Sequence, residues 1–121
     1  YNMPKLIYAP KALEDLLGIK DYIVGQFGAD RAKGIIHDIT TTVRQLEMFP
    51  EEGFHLEKLI DYPTDYRFLV VKPNYIFYRI ESDMVKIVRI LNEKQDFLQI
   101  LFGISSISEE GEKYWEKMEE D

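Results

Sequence analysis

The chain has no cysteine and only two histidines among its 121 residues. The first absence excludes disulfides, a thiolate nucleophile and cysteine-ligated zinc or iron–sulfur centres. The second leaves His37 and His55 as the whole supply of imidazole, too little to argue a Ser–His–acid arrangement or a histidine-based metal site. No apolar run approaches the roughly 18–20 residues that a membrane span requires. The N-terminus lacks a charged-then-apolar signal pattern, so a cytoplasmic protein is expected, with Met3 as its natural start. The seven glycines are scattered, and none builds a phosphate-cradling loop. No cofactor or metal is expected. Net positive charge is missing too: the chain carries −7. Residues 104–121 hold seven acids against two lysines, so five of those negative charges lie there and the body is close to neutral. A near-neutral body excludes indiscriminate nucleic-acid binding over a broad surface, but not one local basic site.

What is present is enough for one domain, over residues 3–103, followed by an acidic extension over 104–121 that is expected to be helical. Residues 5–9 form a short apolar strand. Pro10 opens a helix to Phe27, whose stripe is Ala12, Leu16, Ile19, Ile23 and Phe27. A second helix, capped by Asp30, carries Ala32, Ile35, Ile36, Ile39, Val43 and Leu46 and stops at Phe49-Pro50. The short link makes the two an antiparallel hairpin. Residues 50–64 read as a loop with room for one short turn of helix. Three strands follow, 66–72, 75–81 and 84–91, with turns at Pro73-Asn74 and Ser82-Asp83. Residues 93–102 make a short helix ended by Gly103. The predicted class is α+β: a helical hairpin packed on an antiparallel sheet of about four strands.

Register decides which side chains share a face. With these turns, 72 pairs with 75, and 79 with 86. One face then holds Leu69, Val71, Ile76, Tyr78, Ile80, Val85, Ile87 and Leu91, with Arg67 and Arg89 among them; it is mostly aliphatic and belongs against the hairpin. Arg67 and Arg89 are expected to be structural, bridging to Asp65 or Asp96. The other face gathers Lys72, Tyr75, Phe77, Arg79, Glu81, Lys86 and Asn92. It is either a solvated sheet face or an anion-binding platform in which Tyr75 and Phe77 stack and Arg79, Lys86 and Lys72 meet phosphates. His37 lies on the polar side of its helix, His55 is a weak candidate base, and Glu14 and Asp15 read as surface charges. No carboxylate pair stands out as an acid–base couple.

Several segments in order carry a family likeness: PKALEDLL at 10–17, IKDYI at 19–23, LEMFPEEG at 46–53, YRFLVV at 66–71, NYIFYRI at 74–80, VRILNEKQDF at 88–97 and LFG at 101–103. Together they resemble the RelE/ParE superfamily of bacterial type II toxin–antitoxin toxins, on the ParE-like side. That resemblance implies a cognate antitoxin that neutralises the chain, and growth inhibition through an essential target. The target is DNA gyrase for ParE-like members and ribosome-bound mRNA for RelE-like ones. Asn92 stands where the superfamily frequently has histidine, and Phe97 where some nucleases place a tyrosine; both departures weaken cleavage chemistry. If the chain is a ribonuclease, Tyr75, Arg79, Lys86 and Lys94 are the residues to carry it. If it binds a target, the candidate contacts are Lys72, Tyr75, Arg79, Lys86, Asn92 and Lys94. A third possibility is a degenerate toxin that keeps only antitoxin binding.

Overall fold

The computed structural model describes residues 3–104, so the acidic extension lies outside the described residues from Ser105 onward. Strand β1 (Lys5–Tyr8) leads into helix α1 (Pro10–Phe27) and, across Gly28, helix α2 (Ala29–Arg44). Pro10 opens α1, where its missing N–H costs nothing. Gly28, at φ +94°, reverses the chain and serves as N-cap of α2. Asp30, the expected cap, instead lies one residue inside the first turn, where its charge still complements the helix N-terminus. A 3-10 turn at Gln45–Glu47 ends the hairpin.

The sheet has five strands in the order β1-β5-β4-β3-β2, built from β2 (Phe54–His55), β3 (Arg67–Val71), β4 (Asn74–Glu81) and β5 (Met84–Asn92) as well as β1. It is mixed rather than purely antiparallel, because β1 lies parallel to β5. The stretch expected to be a loop holds β2 and helix α3 (Leu56–Ile60). The helix expected over 93–102 forms only as α4 (Phe97–Phe102), capped by the Asp96 carboxylate on the Gln99 N–H.

Register departs from the expected one in two places. The β3–β4 pairing begins at Val71 opposite Asn74, so Lys72 and Pro73 form the turn. Proline has no N–H to offer a ladder, whereas Asn74 does. This slip is of two residues, so every side chain of β3 and β4 keeps its face. The second departure is a bulge. Tyr78 faces Ile87 and Phe77 faces Arg89, which leaves Val88 as an extra residue. Beyond it, Ile90 joins the hairpin side and Leu91 moves to the opposite side, the reverse of the alternation expected. The bulge takes Arg89 out of an otherwise aliphatic row, where an unpaired guanidinium would be costly.

Two cores result. Ala12, Ile39, Val43 and Leu46 of the hairpin segment pack on Leu69, Ile76, Tyr78, Val85, Ile87 and Ile90. On the other face Leu56, Phe68, Phe77 and Leu91 are buried beneath Ile60 of α3 and Phe97, Ile100, Leu101 and Phe102 around α4. That second face is therefore not an open platform over its whole length: Phe77 is 1% exposed and stacks on Phe97 at 5.4 Å.

Candidate functional site

Two internal devices position everything on the surface. The first sits where β1 runs out. The last β1–β5 contact is the Ala9 N–H to the Ile87 carbonyl, at 2.8 Å, after which β5 has no neighbouring strand on that side among the described residues. Asp15 of α1 fills the gap. Its carboxylate accepts from Arg89 Nε at 2.8 Å, Arg89 Nη2 at 2.9 Å and the Ile90 backbone N–H at 2.9 Å. The bidentate pair holds the Arg89 guanidinium charged, above its ordinary pKa. Arg89 is thus structural, as expected, but its partner is Asp15 rather than Asp65 or Asp96. Asp15, read from sequence as a surface charge, has a side chain only 13% exposed.

The second device pins the 48–53 loop. The fully buried Tyr78 donates its hydroxyl to the Pro50 carbonyl at 2.8 Å and accepts the Gly53 N–H at 2.9 Å. Burial pushes the Tyr78 pKa up, partly opposed by the Gly53 hydrogen bond. Arg67 Nη1 donates to the carbonyls of Glu51 and Gly53, at 3.1 and 3.4 Å. Arg67 is accordingly a loop anchor that uses backbone acceptors, not a carboxylate.

The candidate contact residues fall into two groups at opposite ends of the meander. At one end Arg79 and Lys86 stand directly opposite each other on β4 and β5. Arg79 makes a bidentate pair with Asp65, at 2.9 and 3.0 Å, approaches Glu81 at 3.5 Å, and places its guanidinium 5.4 Å from the Tyr66 ring centre. Lys86 makes no ion pair among the described residues. Both line a groove of about 280 Å³ between the start of α1 and the strand pair.

At the other end, roughly 16 Å away along β4, Lys72 and Asn92 line a larger groove of about 670 Å³ between α1 and the sheet. Its walls include Ile19, Ile23, Ile90 and the 61%-exposed rings of Tyr22 and Phe27. Asn74, 4% exposed, lines it too. Asn92 is engaged in a local turn: its side-chain oxygen accepts the Lys94 N–H at 2.9 Å, and its own N–H goes to Gln95 Oε1 at 2.8 Å. Lys94 is exposed on that turn. Tyr75 belongs to neither end, because its ring packs edge-on against Phe68, Phe77 and Phe97.

The Arg79–Asp65 pair gives a pH expectation. The Arg79 hydrogen bond holds the Asp65 carboxyl below its usual range, against a smaller opposing effect of burial. A depressed folded-state pKa means the pair's stabilisation is complete above the unfolded-state value and disappears as pH falls through the folded one. Asp65 is 64% exposed, so the effect on stability is small. The measurable consequence is a carboxyl titration: by NMR, Arg79→Ala is expected to raise the Asp65 pKa. An unchanged titration would show that the pair does not persist in solution.

No group of three or more His, Asp or Glu among the described residues could hold a metal ion, and no described helix is long and apolar enough to cross a membrane. The order of strand, helical hairpin and three-stranded meander, with a short helix closing the second face, defines the small α+β class of RelE/ParE-type toxins. More particularly, the chain belongs to the ParE toxin family of type II toxin–antitoxin systems: the family described as ParE toxin of type II toxin-antitoxin system, parDE, matches residues 6–97. Among solved structures, a chain described as the chromosomal ParDE TA system from P. aeruginosa is similar, with a TM-score of 0.65 and 25% identity over 74% of this chain and 96% of that one. No curated protein sequence matches.

Proposed function

We propose that this chain inhibits bacterial growth by binding an essential target, DNA gyrase by analogy with ParE-like toxins, and that a cognate antitoxin neutralises it. The observation that carries a binding mode over a cleaving one is the fate of the candidate catalytic groups. Tyr75 is packed among rings, Arg79 is engaged by Asp65, and Lys86 and Lys94 lie at opposite ends of the meander. A general base must reach the proton it takes, and none of these pairs with another to do so. The groove between α1 and the sheet fits the antitoxin part of the proposal. It offers an apolar floor, two exposed rings and the cations Lys72 and Arg31, features that suit an amphipathic segment laid along α1. Arg79 and Lys86, at the far end, remain the proposed target contacts.

Induction in bacteria tests this. Growth is expected to stop with DNA replication failing before translation, and co-expression of a small open reading frame adjoining the gene is expected to restore growth. Translation failing first would replace target binding with the RelE-like mRNA-cleaving reading. Unimpeded growth would leave a degenerate toxin.

A further inference from the structure

Resting on the antitoxin reading above, we propose that the antitoxin sets an amphipathic helix across α1 at Gly18 and places a carboxylate between Asn74 and Lys72. Gly18 and Asn74 line the groove between α1 and the sheet, the first from the helix and the second from the start of β4. Glu14, Gly18 and Tyr22, each four residues from the next, form one ridge of α1 along that wall. A glycine weakens a helix interior relative to alanine. Nothing in the described chain calls for one here: a Cβ at residue 18 would meet no atom within 4 Å, and its φ is not positive. Gly25 and Gly34 are equally open, but only Gly18 breaks the wall of the groove. It leaves a notch between Glu14 and Tyr22 where the backbone of a second helix can come close to α1. The exposed rings of Tyr22 and Phe27 then pack on the apolar face of that helix.

Asn74 is an independent sign of an occupant. It is 4% exposed, the only buried polar residue among those described, and its side-chain amide makes no hydrogen bond among them. No fully enclosed side-chain polar atom among the described residues lacks a partner, so the amide is reached from the groove that Asn74 lines. An occupant that covered it with apolar surface alone would strip its water and leave it unpaired. The occupant therefore brings a hydrogen-bonding group to that point. Charge decides which kind. Lys72 and Arg31 line the same groove, and neither has a carboxylate partner among the described residues. Asp15, across from them, is already held by Arg89. A carboxylate accepts from the Asn74 amide and pairs with Lys72, whereas a cation there would be repelled by Lys72 and Arg31. Selectivity thus comes from one polar group set in an otherwise apolar face.

Calorimetric titration of the full chain and its variants with the protein encoded by the small open reading frame adjoining the gene tests this. Gly18→Leu and Lys72→Glu, both at exposed positions, are each expected to weaken binding roughly tenfold or more. Gly18→Ala is expected to raise the urea midpoint of the free chain and yet weaken binding, a combination that a glycine needed by the fold would not give. Asn74→Asp, which keeps the size and sets a like charge against the incoming carboxylate, is expected to weaken binding as well. Gly34→Ala, outside the groove, is expected to raise the midpoint and leave affinity unchanged. Unaltered affinity in either Gly18→Leu or Lys72→Glu overturns the proposed contact and leaves the antitoxin reading in place. So does a lowered midpoint in Gly18→Ala, which assigns the glycine to the fold. Tighter binding by Lys72→Glu or Asn74→Asp puts a cation in the partner and overturns the carboxylate. No binding by the unaltered chain removes the antitoxin reading itself, and this contact with it.

Discussion

Asp15→Ala is expected to destabilise the protein by about 2–4 kcal/mol. The substitution strands two donors at once. The Arg89 guanidinium, 22% exposed, loses both its bonds, and the Ile90 N–H loses the acceptor that replaces the missing β1 neighbour. The penalty is that of leaving a half-buried charge and a backbone donor unpaired, which exceeds the net worth of the ion pair itself. Asp15→Asn, which can still accept from Ile90, is expected to cost less. Arg89→Met leaves the Asp15 carboxylate, 13% exposed, with only the Ile90 N–H, and is expected to cost about as much as Asp15→Ala. Urea unfolding measures all three. Midpoints for Asp15→Ala and Arg89→Met both below that for Asp15→Asn support this role; an Asp15→Ala midpoint equal to the unaltered chain's would return Asp15 to the surface.

Gly53→Ala is the second large effect, expected to cost about 1–3 kcal/mol or more. A Cβ at residue 53 would fall inside the contact distance of the Tyr78 hydroxyl, 2.6 Å from Cε1 and 2.9 Å from Cζ. Tyr78 is fully buried and cannot retreat. The glycine is needed for close approach, not for an unusual φ. Tyr78→Phe alone loses two hydrogen bonds and leaves the Gly53 N–H and the Pro50 carbonyl unmet. Because removing the hydroxyl also removes part of the collision, the double substitution should cost less than the sum of the single ones. Strict additivity would show that the two residues do not meet in solution.

These two devices mark the boundary of what could be read from residue order. The hairpin was legible because its stripes are long: Ala12, Leu16, Ile19 and Ile23 on α1, and Ala32, Ile39 and Val43 on α2, leave little choice of face. The meander was legible because Val85 and Ile87 alternate cleanly against Ile76 and Tyr78. Asp15 was not, because its partner is 74 residues away and a carboxylate beside Glu14 on an amphipathic helix looks solvated. Nor was the bulge at Val88, beside which Arg89 and the Ile90 N–H meet Asp15. A sign of it was present: an arginine in an aliphatic row asks for either a partner or a change of phase. The second core was hidden by the shortness of α3 and α4, five and six residues that give helical periodicity too little length. The apolar run FLQILF, set against Phe68, Tyr75 and Phe77, was the available hint.

The same hidden packing divides the candidate site. Lys72, Asn92 and Lys94 go to one end of the meander, Arg79 and Lys86 to the other, and Tyr75 to the aromatic layer between them. A surface divided in this way suits two separate protein contacts better than one reaction centre, and the proposed function depends on that distinction. Its most direct test is a supercoiling assay with purified gyrase. The account predicts that the protein blocks supercoiling and that the cognate antitoxin restores it, with mRNA on programmed ribosomes left intact. Undisturbed supercoiling, together with cleaved mRNA on those ribosomes, would contradict it.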